Sequence, residues 1–143
     1  GAGNDTIILT ESVSAKDVVI LGSVTAAGID TIVGFNAGTN LLGGQVDTIK
    51  TSATATTAAV ALTDKGTLDK ATYATLDAAI ASFAAGGANA TAATKSAYTF
   101  KYDSKDYLLI DNDGTAGYLA GTDSVVEITG LVGTLDATDI LIA

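Results

Sequence analysis

The chain has 143 residues, 48% of them apolar, which suffices for one domain with a real core, and a formal charge of -9 from seven Lys, no Arg and sixteen acids. That charge repels phosphate backbones and argues against nucleic acid, while the absence of Cys and His removes disulfides, thiolate nucleophiles, imidazole bases and ordinary zinc sites. No apolar run reaches the roughly eighteen residues of a membrane span, so the chain is not expected to cross a membrane.

In chain order, residues 1–52 read as short strands separated by Gly and Asn turns. Thr6-Ile7-Ile8-Leu9, Asp17-Val18-Val19-Ile20-Leu21, Asp30-Thr31-Ile32-Val33 and Asp47-Thr48-Ile49 are rich in β-branched residues and bounded by turn formers. Residues 53–97 are rich in Ala and Thr. Within them Tyr73, Leu76, Ile80 and Phe83 recur at helical spacing, which predicts one amphipathic helix over about 68–85, stopped by Gly86-Gly87. Core packing is the ordinary role of those four side chains. Residues 98–143 return to strands at Tyr98–Tyr102, Tyr107–Ile110, Ser124–Ile128 and a short Ile140–Ile142, with Asn112-Asp113-Gly114 as a turn. The three stretches predict one compact, mainly β (α+β) domain whose strands continue a sheet begun upstream. Gly1 is not an initiator Met, and the chain is expected to be the downstream piece of a longer protein.

Acids at this density repel one another unless cations sit among them, and a hard divalent ion prefers such oxygen ligands; calcium is the natural candidate. The sharpest local signal is Gly1-Ala2-Gly3-Asn4-Asp5-Thr6-Ile7, which fits all but the first glycine of the nonapeptide G-G-x-G-x-D-x-U-x. Gly1 and Gly3 would offer carbonyls in a tight turn, Asp5 a carboxylate, and Ile7 an inward apolar side chain. The alternative is an Asn-Asp turn before a strand. A phosphate loop is excluded, because β-branched Thr6-Ile7-Ile8 rather than a helix follows the glycines. Asp111-Asn112-Asp113-Gly114 resembles the start of an EF-hand loop, but position twelve of such a loop would be Thr122 instead of Glu. Asp111 and Asp113 are therefore either cation ligands in another geometry or a solvated turn. The pairs Asp103 with Asp106, or Asp111 with Asp113, have the residue types of a glycosidase acid and base, yet no aromatic platform accompanies them, and no catalytic residue is assigned. Asn89-Ala90-Thr91 fits a glycosylation sequon, a pattern frequent by chance.

Taken together, these residues resemble the C-terminal region of repeat-in-toxin proteins exported by type I secretion, such as serralysin-type proteases, lipases and some surface-layer proteins. Gly1–Ile7 resembles the last nonapeptide turn. Asp30-Thr31-Ile32-Val33-Gly34-Phe35-Asn36 and Asp47-Thr48-Ile49 resemble the segments that close the roll. Asp111-Asn112-Asp113-Gly114, Asp123, Val125-Val126-Glu127-Ile128 and Gly130 resemble the acidic turn and final strands, and Asp139-Ile140-Leu141-Ile142 the acidic-then-apolar tail of an uncleaved export signal. The resemblance spans roughly two-thirds of the chain; residues 53–97 depart from the protease and lipase pattern, and the composition is similar to that of surface-layer proteins.

The resemblance implies the end of a parallel β-roll over residues 1–52, an Ala/Thr-rich insertion with a helix over 53–97, and a β-rich cap with an export tail over 98–143. It implies a secreted or cell-surface, calcium-binding structural and export module of a bacterial surface-layer or matrix protein, not an enzyme. The alternative is the non-catalytic C-terminal domain of an exported hydrolase. Implied partners are calcium, through Gly1, Gly3, Asp5, Asp111 and Asp113, then lattice neighbours or a second copy, and the type I secretion machinery through Asp139, Ile140, Leu141 and Ile142.

Overall fold

A computed structural model of the chain describes residues 3–13, 15–21, 28–38, 45–84, 86–89 and 95–143. Gly1, with its expected carbonyl ligand, lies outside them. The described chain is mostly β-sheet with very little helix. It makes three passes in which a strand of one sheet is followed by a strand of another. The first pass holds Thr6–Ile8 (β1) and Val18–Ile20 (β2); the second holds Asp30–Val33 (β3), Asn36–Ala37 (β4) and Thr48–Lys50 (β5). A long excursion follows, through Thr57–Ala58 (β6), Leu62–Thr67 (β7), the helix Leu76–Ala81 (α1), Ala97–Tyr102 (β8) and Lys105–Ile110 (β9). The third pass comes last, with Ser124–Thr129 (β10), Val132–Gly133 (β11) and Ile140–Ile142 (β12).

The passes stack in parallel. A six-stranded sheet runs β1-β3-β10-β9-β8-β7, a four-stranded sheet β2-β5-β12-β6, and β4 pairs with β11 between them. In the first sheet Ile7 and Ile128 both register on Ile32; in the second Val19 and Ile140 both register on Ile49. Because successive side chains point to opposite faces of a strand, this register stacks like residues on one side. These six residues, joined by Phe35, Leu108, Ile110, Val126 and Ile142, form a core shared by both sheets.

Aspartate holds the register. An Asp immediately precedes or opens β2, β3, β5 and β12, and in three of these strands its carboxylate accepts a main-chain N–H from the pass before. Asp30 Oδ1 accepts from Asp5 at 2.9 Å, and Asp47 accepts from Asp17 at 2.9 Å and from Asn36 at 2.8 Å. Buried Asp139 accepts from Gly38 at 3.2 Å and from Asp136 at 2.8 Å. Hydrogen bonds to a charged group contribute about 1.5–3 kcal/mol each, and these lie where a parallel ladder has no hairpin to align it.

The antiparallel strands β8, β9 and β10 are covered on both faces. Leu108 and Ile110 join the shared core, while Tyr107 and Leu109 point to a second cluster with Leu68, Ile80, Phe83, Tyr98, Phe100 and Val125. Phe83 and Phe100 lie 5.2 Å apart, tilted, and Phe100 stacks on Tyr107 at 5.2 Å. Leu76, Ile80 and Phe83 thus serve as core, packed against the sheet.

The helix differs from the sequence expectation of 68–85: it covers only Leu76–Ala81. The Asp69 side chain accepts the Ala71 N–H and its carbonyl accepts those of Thr72 and Tyr73, which spends the upstream residues on a turn. Thr75 then caps the helix by accepting the Ala78 N–H at 3.1 Å. At the other end Ser82 Oγ bonds the Ala79 carbonyl and receives the Asn89 amide, ending the helix before Gly86. One further difference concerns a strand that the sequence did not suggest: β7 carries one apolar side chain, Leu62, and pairs with β8 in parallel across a bulge. The expected strand Ile140–Ile142 is present as β12, between β5 and β6. Among the described residues no helix is long and apolar enough to cross a membrane.

Burial holds the Asp139 carboxyl above its ordinary value; the amides of Asp136 and Gly38 oppose this, and the charges of Asp136 and Asp47 add to it. The folded state therefore binds this proton more tightly than the unfolded state. Its contribution to stability is full below the ordinary carboxylate range and is lost as pH rises through the raised folded value. Asp139→Asn removes that titration. Urea midpoints measured from acid to neutral pH are expected to fall less for the variant than for wild type, and parallel profiles would contradict the burial of this charge.

Candidate metal centre

Strands β9 and β10 pair antiparallel, with Ser124 opposite Ile110. Asp111 directly follows this closing pair and Asp123 directly precedes it, so the hairpin places the two acids at the base of the connection 111–123. Both are 0% exposed. Asp113, two residues further along, is exposed and turns back toward them. The three residues offer carboxylate oxygens that lie within 4.8 Å of one another, the only such acidic triad among the described residues.

Main-chain amides hold this arrangement. Asp111 Oδ1 accepts from Gly114 at 2.8 Å, where a φ of 75° suits glycine, and Asp113 Oδ1 accepts from Thr115 at 2.6 Å. Asp123 uses both oxygens, accepting from Asn112 at 2.9 Å and from Leu119 at 2.6 Å. The Asn112 amide group donates to the Thr122 carbonyl at 2.7 Å and to Ser124 Oγ at 3.0 Å. Two oxygens remain without a hydrogen-bond partner although both atoms are buried: Asp111 Oδ2 and Asn112 Oδ1.

The electrostatics follow from this crowding. Burial raises the Asp111 carboxyl above its ordinary value; the Gly114 amide opposes, the Asp113 charge adds, and the Asp113 and Lys95 amides oppose more weakly. Burial likewise raises Asp123, against the amides of Asn112 and Leu119 and with the charges of Asp111 and Asp113. A cation among the three would relieve that repulsion. The donors are all oxygen, which suits calcium, and at a metal–oxygen distance of about 2.3–2.6 Å ligands within 4.8 Å of one another can share one ion.

The other predicted ligands lie elsewhere. Asp5 is exposed at the start of β1, its N–H given to Asp30, and it is not part of the triad. Gly3 has a φ of 120°, and its carbonyl abuts the Cα of Gly28, where a Cβ would overlap it. Asp111 and Asp113 are thus brought together, while Gly3 and Asp5 stand apart from them. Asp123 was not among the predicted ligands. Its signal was register: an acid just before the strand that returns along β9 meets the acid just after β9. Of the other acids considered for chemistry, Asp103 pairs with Lys70 at 2.7 Å and Asp106 with Lys101 at 2.8 Å, both at the surface.

Compared with protein-family models, curated proteins and solved structures, the chain matched none of them.

The close approach of Gly28 to the Gly3 carbonyl generates a stability test. The obstructing atom belongs to the main chain and cannot swing aside, so Gly28→Ala is expected to destabilise the fold by about 1–3 kcal/mol in urea denaturation. An unchanged midpoint would show that segment 3–5 is not held against residue 28.

Proposed function

We propose that this chain is a calcium-binding structural and export module at the C-terminal end of a secreted bacterial surface-layer or matrix protein, its parallel passes being the last turns of a β-roll. The observation that carries this reading is the asymmetry of the stack. On the third-pass side, antiparallel strands cover it: β9 lies on β10 and β6 on β12. On the first-pass side, both sheets end together, at β1 and β2.

That open side has the chemistry of a junction. Asp5 and Leu9 bond β3, and Asp17 and Leu21 bond β5. Alternate residues of a parallel strand turn their amides the opposite way, so Thr6, Ile8, Val18 and Ile20 direct theirs outward. Ile8, Val18 and Ile20 are also 70%, 50% and 53% exposed. Free strand edges usually carry Lys, Pro or bulges that prevent pairing, and this one carries Ile and Val. A further parallel pass of the same kind, or a second copy, fits the edge. Composition supports the surface-layer reading, and oxygen-only acidic ligands support calcium. Asp139, Ile140 and Ile142 are buried in the fold, so a type I exporter would read this tail before the domain folds.

Two measurements test the proposal. The chain is expected to associate at high concentration through the β1/β2 edge. In sedimentation, Ile8→Pro with Val18→Pro should abolish association while leaving the ladder bonds and circular dichroism intact, because those amides point outward. A wild-type chain that stays monomeric with and without calcium would refute the junction. For export, residues 136–143 fused to the end of an unrelated passenger should carry it into the medium of cells with a type I exporter; retention inside the cell would remove the export role without touching the structural one.

A further inference from the structure

We propose that Asp111, Asp113 and Asp123 bind one calcium ion and that this site, separate from the Gly3–Asp5 turn, locks the β9–β10 hairpin that closes the stack. Acidic residues near one another do not by themselves make a site. Here a second observation points to a ligand: Asp111 is fully buried and its Oδ2 has no hydrogen-bond partner, nor has the buried Oδ1 of Asn112 beside it. An orphaned buried oxygen is costly, more so when charged, and a folded protein rarely keeps two in adjacent residues without something to satisfy them.

The alternatives are weaker. Among the described residues no ion pair involves the triad; Lys70, Lys101 and Lys105 pair with Asp103, Asp106 and Glu127 instead. A proton on Asp111 would satisfy one oxygen and leave Asn112 Oδ1 and the charges of Asp113 and Asp123 uncompensated. Calcium takes roughly six to eight oxygens, so three carboxylates leave positions for further oxygens and water, whereas magnesium demands near-ideal octahedral geometry and gives up its water reluctantly. The ion would join Asp111, next to the last residue of β9, to Asp123, next to the first of β10, with Asp113 closing over it from the solvent side. The site stands on its own geometry and does not depend on what occupies the β1/β2 edge.

The test uses the whole chain, stripped with chelator and then titrated with calcium or with magnesium at neutral pH. Melting temperature is one readout; terbium luminescence sensitised by Tyr118, which lies close enough to feel the Asp123 charge, is the other. Asp113→Asn is the informative variant: the residue is exposed, Asn keeps the oxygen that accepts the Thr115 N–H, and one repulsive charge beside Asp111 and Asp123 is removed, so the metal-free protein should fold and melt no lower than wild type. Calcium is expected to raise the melting temperature of wild type and of Asp5→Ala alike, and Asp113→Asn to weaken calcium by at least about tenfold. The proposal is overturned if calcium leaves wild type unchanged, or if magnesium matches it, which would signify general screening of the negative charge. It is equally overturned if Asp113→Asn responds as wild type does, or if Asp5→Ala alone loses the response, which places the ion in the N-terminal turn.

Discussion

The structure depends on carboxylates that accept main-chain N–H groups across neighbouring passes. Parallel strands cannot be aligned by a tight turn, since each must return over a long connection, and a slip of one residue would exchange the buried and exposed faces. Asp30, Asp47 and Asp139 prevent that slip. Each reaches back to the pass before it, at Asp5, Asp17 and Gly38; Asp30 and Asp47 thereby fix the starts of the neighbouring strands β1 and β2, and Asp139 ties the start of β12 to the end of β4. With register set, Ile7, Ile32 and Ile128 stack in one sheet and Val19, Ile49 and Ile140 in the other, and burial follows.

This use of aspartate changes the meaning of the acidic composition. A charge of -9 suggests acids awaiting counter-ions. Several of these acids are instead structural acceptors whose oxygens are taken up by main-chain amides. The connection 111–123 differs in kind. Its amides bond Asp123 through both oxygens but leave Asp111 Oδ2 and Asn112 Oδ1 without donors. The same device, an acid at a strand end, yields a register bond where one carboxylate meets main-chain amides and an acidic cluster that could hold a metal ion where two strand ends bring their acids together.

The long excursion gives the third pass its place. By inserting β6 to β9 before β10, the chain supplies strands that extend both sheets past the third pass, antiparallel where β9 meets β10 and β6 meets β12. The excursion also brings a core of its own, with Phe83, Phe100 and Tyr107 on the far face of the sheet, so that the last two-thirds of the chain does not rely on the stack alone for burial. A stack closed on one side and open on the other has a direction, and that is the physical basis for reading it as an end piece.

By itself the sequence determined the local elements. Asp followed by β-branched residues at positions 17, 30 and 47 marked strand starts, the apolar runs at 107–110 and 124–128 marked strands, and Asn112-Asp113-Gly114 marked a turn, because each rests on conformational preference within a few residues. It also placed Asp111 and Asp113 in one acidic turn. Only the tertiary structure decided the rest. It cut the helix to Leu76–Ala81, because Asp69, Thr75 and Ser82 commit neighbouring amides and carbonyls to turns and caps whose outcome depends on docking against the sheet. It made a strand of polar Leu62–Thr67, because β8 offered an edge to pair with. It put β3 beside β10 and β5 beside β12, and so brought Asp139 onto Gly38; by pairing β10 with β9 it brought Asp123 onto Asp111. Those encounters join residues far apart along the chain, through hydrogen bonds and burial that no local propensity encodes.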